Sequence, residues 1–293
     1  MTGPSPLLCL GLRSYLFVPG DSARKQARAL DSGADALILD LEDSVAVAAR
    51  PAARALLADF LAEPAPMPRF VRVNAPETGE TEADLAAIAR LRPDGYVLPK
   101  CEGPDDIATL AGLIAAQVGG NDPRILAIAT ETVRALRRLM REDWTHTALA
   151  GLCWGGEDLS ADMGASRNRD GVGCYLGPFR LARDMCLLAA REAGVDAVDA
   201  VFTDLSDPAG LRQEAEEAAA LGFTGKLAIH PAQIKVIHEA FQPTAAQVEH
   251  AQKVLAAIAA SGSGVAVLNG QMLDRPHMLK AKEVLRRAAK LVP

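Results

Sequence analysis

Aromatic residues are scarce in this 293-residue chain, at 4%. The core must therefore be built from the abundant Ala, Leu, Val and Ile rather than from packed rings. No apolar run approaches the roughly 20 residues needed to span a bilayer. Cysteine occurs five times, at Cys9, Cys101, Cys153, Cys174 and Cys186, and no two form a C-x-x-C pair. That odd count and spacing argue against a disulfide framework or a metal cage; reduced thiols in a cytoplasmic protein are expected. The opening MTGPSPLLCLGLRSY has an apolar patch but no basic segment before it, unlike a signal peptide. Positive charge is in deficit, 31 Lys and Arg against 37 Asp and Glu, a net of −6. The deficit argues against a nucleic-acid coat or a polybasic membrane patch, while leaving room for a local basic cluster facing an anionic ligand. No G-x-G-x-x-G follows the first apolar run, which counts against a dinucleotide-binding open sheet.

What is present is a repeated alternation. Eight short β-type runs recur: Ser14–Val18, Ala36–Asp40, Phe70–Val73, Gly95–Pro99, Ile125–Ala129, Ala148–Trp154, Ala197–Phe202 and Lys226–His230. Most are continuously apolar, as strands buried on both faces should be. Helical patterns fill the gaps. DSARKQARALDSG has Asp21 or Ser22 as N-cap and Gly33 as a stop. DPAGLRQEAEEAAALG has Asp207 as N-cap, Pro208 at N1 and Gly222 past the end, with Leu211, Ala215, Ala218 and Leu221 on one face. This pattern predicts an α/β fold, a (β/α)8 TIM barrel over residues 1–260. The SGSG at 261–264 reads as a linker, and residues 261–293 as a C-terminal helical arm that packs on a neighbouring subunit.

The stretch ALILDLEDSV, Ala36 to Val45, places three carboxylates, Asp40, Glu42 and Asp43, where an apolar strand ends. Buried carboxylates are costly unless paired, hydrogen-bonded or metal-bound. In a barrel of this kind the C-terminal strand ends line one mouth. The other residues at that mouth are Pro19 and Asp21, Arg72 and Asn74, Lys100, Glu131, Glu157 and Asp158, Asp204, and His230. The opposite strand ends read as lacking such a run. Carboxylates mixed with Arg and Lys suggest a divalent cation and an anionic substrate. Oxygen ligands suit Mg2+, which takes one or two carboxylates and keeps several waters. Zinc would call for His or Cys, and only His230 of five histidines falls at the mouth.

At these residues the chain resembles the citrate lyase β-subunit-like proteins of the HpcH/HpaI aldolase superfamily, which includes malyl-CoA and citramalyl-CoA lyases. The matching motifs are RSYLFVPGDSARK, LILDLEDSV, VRVN, LPK, ATET, GGEDLSADMG, LAIHPAQI and NGQMLDRP, in order from Arg13 to Pro276. The resemblance implies a (β/α)8 barrel, Mg2+ dependence and cleavage of a carbon–carbon bond in a 3-hydroxyacyl thioester. It implies that Glu131 and Asp158 ligate the metal and that Arg72 grips the substrate carboxylate. Asp274 would act as the acid/base in a neighbouring subunit's site, within a homotrimer or homohexamer. Coenzyme A would lie near the PGDSARK turn, at Pro19, Arg24 and Lys25.

Within that frame Glu42, with Asp43 as a second candidate, is expected to hold metal-bound water or to orient Arg72 or Lys100, with Lys100 on the substrate. Each residue also has a plainer structural role open to it. Glu131 or Asp158 could sit at a helix start, and Arg72 could pair with Asp40 or Glu42. Asp274 could cap the helix beginning Arg275-Pro276, and His230 could serve structure alone. Arg24 and Lys25 could simply be solvated. The function expected is a Mg2+-dependent lyase on a malyl-CoA or citramalyl-CoA type thioester. Alternatives are a citrate lyase β subunit acting on a citryl acyl-carrier protein, a malyl-CoA thioesterase, and a non-catalytic thioester-binding subunit. The loop 164–177 is expected to shape the substrate pocket or its lid.

Overall fold

The structure, a computed structural model, describes residues 10–120 and 123–289. Cys9 thus lies outside the described residues. The eight expected strands form as β1 Ser14–Pro19, β2 Ala36–Asp40, β3 Arg69–Arg72, β4 Gly95–Leu98, β5 Ile125–Ile128, β6 Leu149–Cys153, β7 Asp196–Asp199 and β8 Gly225–Ala228. They close in sequence order into one parallel barrel, with β1 pairing both β2 and β8. The helices are α1 Ala23–Ala29, α2 Arg50–Ala62, α3 Thr81–Ile88, α4 Pro104–Val118, α5 Val133–Leu139, α6 Gly156–Asp162, α7 Gly177–Ala193, α8 Pro208–Leu221 and α9 Ile234–Phe241, followed by α10 Ala245–Ala260 and α11 Arg275–Ala289.

The barrel interior is filled by alternate strand residues, including Tyr15, Ile38, Phe70, Val97, Leu126, Ile128, Cys153, Val198 and Leu227. The intervening residues face the helical layer, which is why the strands read as unbroken apolar runs. Gly20 is required where β1 meets β2. Its N–H donates to the Asp40 carbonyl at 2.8 Å, and a Cβ there would come within 2.5 Å of that oxygen.

Helix ends follow the expected chemistry. Ser22 caps α1, and Asp207 caps α8, its side chain accepting from Gly210 N. Gly222 closes α8 at φ 115°. On α8, Leu211, Ala215 and Ala218 are buried, but Leu221 is half exposed; the buried face gains Glu214 instead. The opposite rim corrects the sequence reading too. It carries Arg13, Asp35, Arg69 and Asp94, with Arg13 and Asp35 in a bidentate pair and Asp94 accepting from Arg69 N.

The chain divides into two compact units, the first ending at His238 and the second starting at Glu239. The sequence reading put this division at 260. In the second unit α10 packs against α11 and a two-stranded hairpin, β9 Ala266–Leu268 with β10 Gln271–Leu273. Ala251, Val254, Ala266, Leu273 and Ala281 form its core. The last segment therefore has a partner in its own chain, α10. Among the described residues no helix is long and apolar enough to cross a membrane.

Candidate active site

Arg72 closes β3 opposite Asp40 at the end of β2. Its Nε and Nη2 each donate to one oxygen of Asp40, both at 2.7 Å. This fork-to-fork pairing is the strong form of such a bridge. Burial alone would raise the Asp40 pKa, but the Arg72 charge and its hydrogen bonds hold it below the usual carboxylate range. Asp40 also accepts from Glu42 N and Ser44 N, so it shapes its own loop. The Arg72 guanidinium further stacks 4.7 Å from the Phe17 ring centroid. Asp40 thus takes the structural role, while Nη1 faces Glu42 and the second Nη2 hydrogen lies outside the Asp40 pair.

Glu42 bridges the two cations. Its Oε2 lies 3.0 Å from Arg72 Nη1, and its Oε1 accepts from Lys100 Nζ. Oε2 is buried and lacks hydrogen-bond alignment with any donor among the described residues. Lys100 follows β4 with φ 50°, a left-handed conformation unusual outside glycine. From there its backbone N–H donates to Glu131 Oε2, while its ammonium reaches Glu42 and stands 3.7 Å from Asp158 Oδ1 and 3.7 Å from Asp43 Oδ1. One strained residue thereby joins β2, β5 and β6.

Glu131 follows β5 and is 3% exposed. The N-cap of α5 is Thr132, whose hydroxyl accepts from Ala135 N, so Glu131 stands outside that helix and does not cap it. Gly155 makes room for it: a Cβ there would sit 2.7 Å from Glu131 Cγ. Thr130 accepts from Gly155 N at 3.1 Å and fastens the two turns together. Burial first, and the nearby Asp158 carboxylate second, push the Glu131 pKa up to about 8. Asp158 lies in the first turn of α6, beyond its Gly155 N-cap, and is partly exposed.

Arg72, Glu42, Lys100, Glu131 and Asp158 are thus one cluster at the C-terminal mouth. Pro19 ends β1 in register with Asp40, beside the cluster. Arg24 and Lys25 are exposed in the first turn of α1, and no ion pair joins them to the cluster among the described residues. His230 is a cap, accepting from Ala232 N while Gln233 returns to its backbone. Asp204 is exposed and accepts from Ser206. Asp274 lies in the second unit just before α11, where its carboxylate contacts His277 Nδ1 at 2.6 Å.

The cluster's oxygens suit a small hard cation. Two carboxylates, Glu131 and Asp158, adjoin, and Glu42 leaves a buried oxygen unsatisfied; no imidazole or thiolate takes part. Among the described residues no three His, Cys, Asp or Glu side chains gather into a closed metal cage. An ion here would therefore complete its shell with water and substrate oxygens, the habit of Mg2+.

Residues behind this cluster escaped the sequence reading: Thr130, Gly155, and a buried charged group of Lys226, Asp199 and Glu214. The signal for the last was on the page, since Lys226 and Asp199 interrupt apolar strands just as Asp40 does.

A closed parallel barrel with acids, Arg and Lys gathered at its C-terminal mouth is the architecture of a (β/α)8 enzyme. The model of the HpcH/HpaI aldolase/citrate lyase family matches residues 13–231, and the chain belongs to that family. It is 38% identical over 274 residues to a citrate lyase subunit beta-like protein of Mycobacterium tuberculosis, covering 94% of each. It is 34% identical over 281 residues to a (3S)-malyl-CoA thioesterase of Cereibacter sphaeroides, again with 94% of each covered. The crystal structure of M. tuberculosis CitE in complex with magnesium, acetoacetate and coenzyme A superimposes with a TM-score of 0.82 at 37% identity, covering 94% of this chain and 98% of that one.

Proposed function

We propose that the protein is a Mg2+-dependent carbon–carbon lyase that splits a 3-hydroxyacyl-CoA thioester of the malyl-CoA or citramalyl-CoA type into a 2-oxo acid and an acyl-CoA. The observation carrying this reading is the gathering of Glu131, Asp158, Glu42, Lys100 and Arg72 at one mouth. Relatives at 34% identity or more, and a solved structure holding magnesium and coenzyme A, support it.

Glu131 and Asp158 would hold the cation, which when bound supplies Lewis-acid stabilisation of charge developing on the substrate's hydroxyl and carboxylate oxygens. Arg72, fixed by Asp40, offers its remaining N–H groups to the substrate carboxylate. Lys100 supplies positive charge on the same side. In cleavage the hydroxyl loses its proton, and the bond from the carbinol carbon to the thioester α-carbon breaks. The electron pair stays on the thioester as an enolate. Glu42, whose Oε2 faces Arg72 without an aligned hydrogen bond, would receive the hydroxyl proton or orient a water that does. Asp274 from a neighbouring copy protonates the α-carbon, general-acid help typically worth about 10²–10⁴-fold. Arg24 and Lys25, in the first turn of the helix after β1, would face the phosphates of coenzyme A. The assembly proposed is a homotrimer or homohexamer.

A second reading, a malyl-CoA thioesterase, is favoured by the name of the C. sphaeroides relative. In that case water attacks the thioester carbonyl and the carbon skeleton survives. Incubating purified protein with malyl-CoA and citramalyl-CoA, with Mg2+ or EDTA, separates the two. The lyase releases a 2-oxo acid and an acyl-CoA; the thioesterase releases free thiol and the intact hydroxy acid. No EDTA-sensitive turnover of any free CoA thioester would overturn both and direct attention to an acyl-carrier-protein substrate or a non-catalytic role.

A further inference from the structure

Six charged side chains form a continuous chain between the barrel and its outer helices. Lys226 Nζ, wholly buried, donates to Asp199 Oδ2 at 2.7 Å, the Ala200 carbonyl at 2.7 Å and Glu214 Oε1 at 2.8 Å. Asp199 Oδ1 accepts from Trp154 Nε1 at 2.7 Å and Arg183 Nε at 3.0 Å. Arg183 continues to Glu217. At the other end, Glu214 Oε2 lies 2.6 Å from Arg169 Nη1. Arg169, Arg183 and Lys226 thus balance Asp199, Glu214 and Glu217.

Five members sit on β7, β8, α7 or α8. Arg169 alone belongs to a loop, residues 163–176 between α6 and α7. Its guanidinium lies 3.7 Å from the Tyr175 ring centroid and 5.3 Å from that of Phe202, and Nη1 also donates to the Gly173 carbonyl at 2.9 Å. Tyr175 packs edge-on against Trp154 at 4.8 Å. Trp154 immediately precedes Gly155, the residue that accommodates Glu131. A Cβ on Gly156 would come within 3.1 Å of the Trp154 ring, so the first turn of α6 rests on that indole. A second tie reaches the same turn: Asn168 Nδ2 donates to Glu157 Oε1 at 2.7 Å, one residue from Asp158. The loop therefore grips the turn bearing Asp158 at two points, and Arg169 fastens the loop to the rigid charge chain.

We propose that Arg169 is a positioning residue for the cation site: held between Glu214 and Tyr175, it clamps the 163–176 loop onto Trp154 and Glu157 and so fixes Asp158 relative to Glu131. The inference rests on the reading of Glu131 and Asp158 as cation ligands. Among the described residues Arg169 makes no hydrogen bond or ion pair with either carboxylate, and it acts through the turn alone. Arginine suits the task because one planar group both stacks on Tyr175 and pairs with Glu214; a lysine would keep the charge and lose the stacking.

The test is titration of Mg2+ alone, without substrate, into the full-length protein by calorimetry, for the wild type, R169M, R169K, N168A and E131Q. Limited trypsin cleavage at Arg167 reads out release of the loop. The expected result is Mg2+ affinity weakened about tenfold or more in R169M, the scale for groups that orient metal ligands. R169K should recover part of the loss, N168A should show a smaller loss, and Arg167 should be cut faster in R169M. Folded R169M that is cut faster yet binds Mg2+ as tightly as wild type overturns the inference and leaves the cation site standing. If R169M does not fold, unchanged affinity in both R169K and N168A overturns it equally. Wild type that takes up no Mg2+, or binding that survives E131Q, overturns the cation-site reading and this inference with it.

Discussion

Glu131 answers to two opposed demands. Burial favours its neutral form, while a cation needs it charged. The pKa of about 8 is raised from the ordinary glutamate value of 4.5. Between these values the metal-free folded protein keeps a proton that the unfolded chain has released. Unfolding then gives up a proton, and stability falls as pH rises from about 4.5 to about 8. We expect the melting temperature in EDTA to decline across that window, and to decline less in Glu131→Gln. At pH 8 the variant should match or exceed the wild type in stability while losing turnover by about 10²-fold or more, since a cation supplies several kcal/mol of transition-state stabilisation. Melting curves and kcat/KM on the same preparations check both halves. Equal loss of stability and activity would assign Glu131 to the fold. The opposite sign holds for Asp35, at the other rim. Burial would raise its pKa, but hydrogen bonds from Arg13 and His238 hold it well below the usual carboxylate range. Its contribution is complete above the unfolded pKa and disappears as pH falls through the folded one. Asp35→Asn should therefore cost about 1–3 kcal/mol in urea unfolding at pH 7, with the gap to wild type narrowing in acid.

Elements position these residues, and turns matter more than strands. The β6–α6 turn depends on Gly155 having no side chain. Gly155→Ala should push Glu131 aside and reduce kcat/KM by tenfold or more, about 1.4 kcal/mol, while urea unfolding changes little because φ there is −121° and alanine adopts it freely. Lys226→Met makes the converse prediction. It leaves Asp199 and Glu214 buried without their cation and should destabilise the fold by about 3–5 kcal/mol, read as a lower urea midpoint. How much of this was legible in the sequence follows from the range of each interaction. The strands were, because burial on both faces leaves a local apolar run. The caps of α1 and α8 were, because Ser22 and Asp207 act within three residues. The β9–β10 hairpin was readable but unread: Asn269-Gly270, both at positive φ, is the two-residue turn that hairpins favour. The partners of Arg169 were not legible, since Glu214 lies 45 positions away and only the closed barrel makes them neighbours.

At the scale of the molecule, the mouth cluster of the first unit was legible because barrels place all strand ends on one rim. Whether Asp274 serves such a mouth is a question of assembly, which local pattern does not encode. The second unit exposes Val265, Val267, Met272 and Leu279. Within its own chain, Asp274 is occupied by His277 in a contact that fits a helix start as well as it fits catalysis. Complementation separates the two roles. Asp274→Asn and Glu131→Gln should each be nearly inactive alone. Co-expressed with different tags and purified through both, the mixed oligomer should regain a measurable fraction of wild-type turnover, because some mouths then combine an intact Glu131 with an intact Asp274 from the adjoining copy. If Asp274 acts within its own chain, the mixed assembly gains only what Asp274→Asn subunits or Glu131→Gln subunits retain by themselves. Full activity of Asp274→Asn alone would place the proton donor elsewhere and return Asp274 to the start of α11 as a structural residue.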